Sequence, residues 1–252
     1  MIKGLYAAAS SMLANLYRQQ SLAHNAANLD TPGFKRVLTP LDKFIEHAVI
    51  HPNGGLTNAT FYRYLGKLGL GVENASDYID FTDGSLKYTG QPLDVAIEGS
   101  GFFVVKIADG KGYTRDGRFT RDAEGNLVTI DGYHVLDDGG QPIELPDGLV
   151  SIHEDGTIYV DGEEVAKLGL ASFENPQEEL SKVLPNIFSA NGEPKGEEEV
   201  RVAQGYLEMS NVNPAELMTQ MVSVTRAYEA AQKMVQNQDD LLGQTINVLG
   251  RL

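Results

Sequence analysis

The chain contains no cysteine. That absence removes disulfides, thiolate nucleophiles and cysteine metal sites in one step. Basic residues are also scarce, 20 against 35 acidic ones, and the formal net charge is −15. No basic run gathers them on one stretch, so nucleic acid and anionic lipid are both repelled and neither is an expected partner. No run of about 18 consecutive apolar residues occurs, so no membrane insertion is expected. Residues 1–16 carry apolar residues only at intervals. They lack a charged start, an unbroken apolar core and a small-residue cleavage site, so a cleaved secretory signal is not expected. What remains, 252 residues at 42% hydrophobic content, is a globular composition sufficient for one large domain or two small ones.

Periodicity divides this chain more sharply than composition does. Ile2, Leu5, Ala9, Met12, Leu16, Gln19, Ala23 and Ala26 alternate three and four apart, the spacing of a coiled-coil seam. A helix of about 40 Å is expected from Lys3 to about Asn28. Asp30-Thr31-Pro32-Gly33 stops it, because proline lacks an amide hydrogen and pushes its predecessor out of helical geometry. The other end repeats the pattern through Leu217, Met221, Val224, Tyr228, Ala231, Val235, Gln238, Leu242, Thr245 and Leu249. Asn213 suits an N-cap, Pro214 the first helical position and Glu216 the third position of a capping box. The helix from Pro214 to about Leu249 is about 54 Å long.

Between the ends the texture changes to short β-branched and aromatic runs with Asp-Gly pairs beginning at Asp83, Asp109, Asp116, Asp131, Asp138, Asp147, Asp155 and Asp161. Such pairs tolerate positive φ and favour tight hairpins. Val95–Ile97, Phe102–Ile107, Leu127–Ile130, Tyr133–Leu136, Ile158–Val160 and Lys167–Phe173 read as strands. The expected class is α+β, with long terminal helices paired as a coiled-coil-like module around a central antiparallel β domain. Five segments follow: an N-terminal assembly helix over 1–34, an extended connector over 35–85, the β domain over 86–190, an acidic loop and return connector over 191–209, and a C-terminal assembly helix over 210–252. Helices that long leave apolar surface uncovered after pairing. Either copies of the chain cover it in a helical polymer, or an intramolecular hairpin hides it in a monomer.

Four ordered blocks carry a resemblance. Ala23-His-Asn-Ala-Ala-Asn-Leu-Asp-Thr-Pro-Gly-Phe-Lys35 comes first, then Gly90-Gln-Pro-Leu-Asp-Val-Ala-Ile-Glu-Gly-Ser-Gly-Phe-Phe-Val-Val105. Tyr113-Thr-Arg-Asp-Gly-Arg-Phe119 with Gly125-Asn-Leu-Val-Thr129 follows, and Ser210-Asn-Val-Asn-Pro-Ala-Glu216 with Arg226-Ala-Tyr-Glu229 closes the series. The sequence resembles the rod, hook and basal-body family of bacterial flagellar axial proteins across nearly its whole length. It departs at His24, Ala26 and Asp30, where Asn, Leu and Asn are usual in that family. Pro92-Leu-Asp-Val95 and Gly139-Gly-Gln-Pro-Ile143 lean towards a proximal-rod type, Gln204-Gly-Tyr206 and Arg226-Ala-Tyr228 towards a distal one, and both positions stay open. The resemblance implies a non-enzymatic structural subunit of the flagellar rod, exported by the flagellar type III apparatus, whose terminal helices polymerise into a hollow axle that transmits torque. Its implied partners are copies of itself and related rod or hook subunits.

The expected assembly interface is the apolar seam: Ile2, Leu5, Ala9, Met12, Leu16, Leu217, Met221, Val224, Tyr228, Val235, Leu242 and Leu249. Asn25, Asn28, Pro32, Gly33, Phe34, Asn211, Asn213, Pro214 and Glu216 form the signature and capping set. Chemistry-bearing motifs are otherwise weak. His24, His47, His51, His134 and His153 have no zinc-helix spacing. Carboxylate pairs are expected by chance among 35 acidic residues. Gly66, Gly69 and Gly71 run in the reverse of dinucleotide order. Asn58-Ala-Thr60 and Asn74-Ala-Ser76 match glycosylation sequons. No catalytic residue, metal or cofactor is expected. The alternatives of another class are a secreted cell-wall hydrolase and a monomeric adhesin, each with the helices as a targeting module.

Overall fold

The computed structural model describes residues 2–43, 46–53, 61–69, 71–74, 76–108, 110–192, 194 and 200–249. Among the described residues the chain forms the helices α1 (Ile2–Ala27), α2 (Pro176–Glu179) and α3 (Pro214–Leu249) and a set of antiparallel ladders. The class is α+β with a helix at each end, as expected. Alanine at positions 7–9 propagates α1 at little entropic cost, and α3 opens on Pro214 with Glu216 in its first turn, where a negative charge complements the helix dipole.

The chain forms two compact units: Met1–His24 with Val37–Tyr78 and Pro214–Leu252, and Asn25–Arg36 with Ile79–Asn213. In the first unit, Leu41–Lys43 pairs with Val72–Asn74 and Glu46–Asn53 with Phe61–Gly69, both antiparallel. Two hydroxyls of α1 hold this region: Ser21 Oγ donates to the Val37 carbonyl at 3.3 Å, and Ser10 Oγ accepts from the Val72 amide at 3.3 Å.

The second unit is built on a five-stranded antiparallel sheet in the order Leu170–Ala171, Phe102–Ile107, Gly110–Thr114, Ile187–Ala190 and Leu180–Leu184. It also holds a three-stranded sheet (Val150–Ile152, Thr157–Val160, Glu163–Lys167) and the two-stranded ribbons Phe119–Arg121 with Leu127–Thr129, Val95–Glu98 with Arg201–Gln204 and Leu86–Tyr88 with Tyr206–Glu208. Alternate strand residues meet in a core centred on Phe103, Val105, Leu127, Val135, Ile158 and Leu168. A second, aromatic cluster sets Phe102 against Phe173 and Phe81 against Phe188 at 5.8 and 5.3 Å between ring centres, edge to face, the arrangement ring quadrupoles favour.

Two expected strands break up. Over Tyr133–Leu136 the chain changes neighbour at each residue: His134 bridges Val128, Val135 bridges Val105 and Leu136 bridges Pro142. Lys167–Phe173 is split: Lys167 ends the strand Glu163–Lys167 and Leu170–Ala171 forms another, because Leu168 between them bridges Asp137 and donates its amide to the Gly156 carbonyl. The Asp-Gly pairs also divide. Asp161 and Gly162 have φ of 51° and 89° and join strands whose Val160 and Glu163 are partners, which is the hairpin geometry with positive φ at both turn residues. Asp83-Gly84 and Asp116-Gly117 are no hairpin turns. The Gly84 amide donates to Glu208 Oε1, and the Asp116 carboxylate is taken up by the Arg118 guanidinium and the Asn186 amide.

Candidate assembly surface

The first unit contains both seams. On α3, Leu217, Val224 and Ala231 are buried while Met221, Tyr228, Val235 and Leu242 are half-buried. The described seam residues thus form its covered face. Large apolar residues beside them remain in solvent: Met218 67%, Met234 54%, Leu241 49% and Ile246 68% exposed. On α1 the covered residues of this unit are Ala8, Ala14, Asn15 and Leu22. Leu5 and Met12 are half-buried, and Ala9 and Leu16 are exposed. The covered face of α1 is therefore displaced by one residue, about 100° of rotation, from the seam read in the sequence. Tyr6, Leu13 and Tyr17 stand exposed on the opposite side of the helix. Asn15 is tolerated inside because its Nδ2 donates to the Ser11 carbonyl at 2.8 Å. The side chains of Ile2 and Leu249 lie outside the described residues.

Gly4 of α1 lies against the side-chain amide of Gln238 on α3. Gln220 of α3 lines a hollow with Arg18, Ser21 and Leu22 of α1. Later positions in α1 thus match earlier positions in α3.

The signature residues gather in the second unit. Asn25, Pro32, Gly33 and Phe34 are buried and Asn28 is half-buried, with Thr31 Oγ1 donating to Asn28 Oδ1 at 3.3 Å. Gly33 has φ of 69°, and a Cβ there would lie 2.4 Å from the Arg115 carbonyl carbon and the Asp116 nitrogen. Only glycine satisfies both constraints. The Gly33 amide donates to the Glu208 carbonyl at 2.8 Å, and Lys182 Nζ lies 5.1 Å from the Phe34 ring centre. Asn211 is half-buried; its Oδ1 accepts from the Arg36 amide at 2.8 Å and its Nδ2 donates to the Asp80 and Thr82 carbonyls at 2.8 and 3.0 Å. Asn213, Pro214 and Glu216 are exposed.

Sequence reasoning missed the ionic centre of this cluster. Lys35, Arg115 and Glu208 have side chains 1–2% exposed. Glu208 Oε1 accepts from Lys35 Nζ at 2.7 Å and from the Gly84 amide at 2.8 Å, and Glu208 Oε2 accepts from Arg115 Nη1 at 3.0 Å. Arg115 Nη2 donates to the Gly99 carbonyl at 2.7 Å, and the guanidinium lies over the Phe102 ring at 5.1 Å. The more exposed Asp83 carboxylate reaches Arg115 at 3.4 Å. Burial alone would raise the Glu208 carboxyl, but the charges of Arg115 and Lys35 and the Gly84 amide hold it below its ordinary value. Burial lowers the Lys35 ammonium, with Arg115 adding to the effect and Glu208 opposing it. Both directions follow from two buried cations sharing one buried carboxylate. Lys35 and Arg115 stand inside two of the resembling blocks, which is the one signal that pointed near them.

His24 and His153 are exposed and His134 is half-buried, and the His153 ring stacks on Tyr159. Among the described residues no group of three or more His, Asp or Glu side chains could hold a metal ion, and no helix is long and apolar enough to cross a membrane. The side chains of His47 and His51 and the sequon at 58–60 lie outside the described residues.

Two family models match: the flagellar basal body rod FlgEFG protein C-terminal region over residues 203–248, and the flagellar hook protein FlgE/F/G D1 domain over residues 96–160. The chain is 35% identical to the flagellar basal-body rod protein FlgF of Rhizobium meliloti over 99% of both chains. It is 34% identical to FlgG of Borreliella burgdorferi, over 98% of this chain and 99% of that one, and 34% identical to FlgF of Salmonella typhimurium, over 99% of both. Identity at this level along the full length of each relative, together with the two matching family models, means that the chain belongs to the flagellar basal-body rod protein family.

Proposed function

We propose that this protein is a non-enzymatic structural subunit of the flagellar rod, polymerising through its terminal helices into a hollow axle that transmits torque. The observation that carries this reading is the apolar surface left open on both helices, with Tyr6, Leu13 and Tyr17 on α1 and Met234, Leu241 and Ile246 on α3 all exposed. Such residues, a stripe on α1 and a more scattered set on α3, are the usual signature of a surface completed by other chains. The opposed register of Gly4 with Gln238 and of Leu22 with Gln220 supports an antiparallel, coiled-coil-like pair. In it the seam residues Leu5, Met12, Leu217, Met221, Val224, Tyr228, Val235 and Leu242 hold the two helices together, and their outward neighbours meet adjacent subunits. Stiffness then follows from close packing of those residues, since packed interiors are hardly compressible.

The partners are copies of this chain and related rod or hook subunits, delivered by the flagellar type III export apparatus to the basal body. The work is mechanical and needs no cofactor. No observation favours the hydrolase or adhesin alternatives. A strain whose only copy carries Leu13→Asp tests the reading: the variant is expected to fold normally but to be missing from purified basal bodies, and the cells to be non-motile. Normal swimming with the variant present in basal bodies would refute it.

A further inference from the structure

The chain passes between its two units after residues 24, 36, 78 and 213. Beside three of these passages, on the side of the second unit, stand Arg36, Asp80 and Asn211, the last, second and third-from-last residues of their segments. They are bonded to one another in a closed ring. The Arg36 amide donates to Asn211 Oδ1 at 2.8 Å, Asn211 Nδ2 donates to the Asp80 carbonyl at 2.8 Å, and the Asp80 amide donates to the Arg36 carbonyl at 3.0 Å. Arg36 Nε and Asp80 Oδ2 form an ion pair at 2.8 Å across the same ring. The amide of Asn211 has one possible orientation, because only its oxygen accepts a backbone N–H and only its nitrogen donates to carbonyls. Thr82 braces the ring, giving its amide to Asp80 Oδ1 at 3.0 Å and accepting Asn211 Nδ2 at its carbonyl at 3.0 Å. Lys35, beside Arg36, ties the ring to the buried ion cluster: its Nζ donates to the Thr82 carbonyl at 2.8 Å and to Glu208 Oε1 at 2.7 Å.

We propose that the Arg36–Asp80–Asn211 ring is a mechanical clamp, gathering three passages of the chain so that force arriving along one of them is divided among all three. Hydrogen bonds loaded one after another open singly. Members of a closed ring open together, since each is tied to both of the others. Force on residue 36 alone would otherwise peel Phe34–Arg36 away from the second unit; with the ring closed it must also displace Asp80 and Asn211. That the clamp carries torque rests on the rod-subunit reading, whereas the joint opening of its three segments does not.

Residue-resolved amide exchange on the full chain tests the joint opening. Asn211→Asp keeps the acceptor for the Arg36 amide but removes the donor to Asp80 and Thr82, so it breaks the ring at a point remote from that amide. The clamp predicts at least tenfold faster exchange at Arg36 and Asp80 together, with Val104, Leu127 and Val135 unchanged. Unaltered exchange at Arg36 in this variant would overturn the clamp. Asn211→Ala, which removes the whole amide, is expected to show the same joint loss. In cells, Asn211→Asp is expected to swim normally in dilute medium and to fail as viscosity rises. Joint opening with swimming unchanged at every viscosity, and the variant present in basal bodies, overturns the mechanical role while leaving the rod reading intact. Absence of the wild-type chain from basal bodies overturns the mechanical role through the rod reading itself.

Discussion

The two units bury different kinds of residue. In the second, Phe103, Leu127, Ile143, Ile158 and Leu168 are at most 1% exposed, and the charged side chains of Lys35, Arg115 and Glu208 are buried as well. In the first, the buried residues of the two helices are Ala8, Ala14, Asn15, Leu22, Leu217, Val224 and Ala231, while Tyr6, Leu13, Tyr17, Met218 and Ile246 lie in solvent. One unit completes its core within the chain. The other buries Leu22, Leu217 and Val224 among alanines but leaves several larger apolar residues in solvent, a surface that neighbouring subunits would cover in the proposed rod. On the rod-subunit reading, the difference teaches that substitutions in the second unit act on stability and substitutions on the open face of the first act on assembly.

The sharpest way to break that division is Glu208→Ala. It strands Lys35 and Arg115 as buried cations, and removal of one partner from a buried ion network costs about 3–5 kcal/mol. Chemical denaturation of the second unit should show a loss of that size. Next is Val224→Asp on the covered face of α3, where an unpaired polar group costs about 1–3 kcal/mol or more. That loss should appear in helical amide exchange and leave the denaturation of the second unit unchanged.

Acid should have a smaller effect on the second unit. The Glu208 carboxyl is held below its ordinary value by Arg115 and Lys35 against the effect of burial, so the unfolded chain binds its proton more readily than the folded one. The stability it supplies is complete above the ordinary carboxyl range and is lost as pH falls through the lower folded value. Thermal midpoints measured down an acid series should fall less steeply in Glu208→Gln. The least effect on stability is expected at the open face: Ile246→Ser should change folding free energy by no more than about 0.5 kcal/mol, yet reduce incorporation into basal bodies.

Legibility in the sequence followed side-chain size and distance along the chain. The covered face of α3 was readable because Leu217, Met221, Val224 and Tyr228 are large and the residues between them mostly polar, so the spacing singles out one face. The α1 seam was displaced by one residue because Ala7, Ala8, Ala9 and Ala14 make neighbouring faces equally apolar, and spacing alone does not choose between them. The turn at Asp161-Gly162 was readable because its geometry is local. Asp83 and Asp116 were not, since Asp83 reaches Arg115 and Asp116 is held by Asn186 as well as by its neighbour Arg118. The ionic centre was hidden for the same reason. Glu208 meets Lys35 and Arg115 across 173 and 93 residues of chain, and nothing local distinguishes it among 35 acidic residues. Asn211 stood out as a possible cap, but its bonds to Arg36, Asp80 and Thr82 depend on segments that are distant in sequence.

The lack of native cysteine makes one measurement decisive for the claim that the open helical faces are covered by neighbouring subunits. Single cysteines at Leu13, Leu241 and, as a control in the second unit, Leu149, which is 83% exposed, are each labelled with a thiol reagent in the dilute chain and in purified basal bodies. The account predicts that all three react in solution, and that in basal bodies positions 13 and 241 are protected at least tenfold. Equal reactivity of positions 13 and 241 in the two states would contradict it.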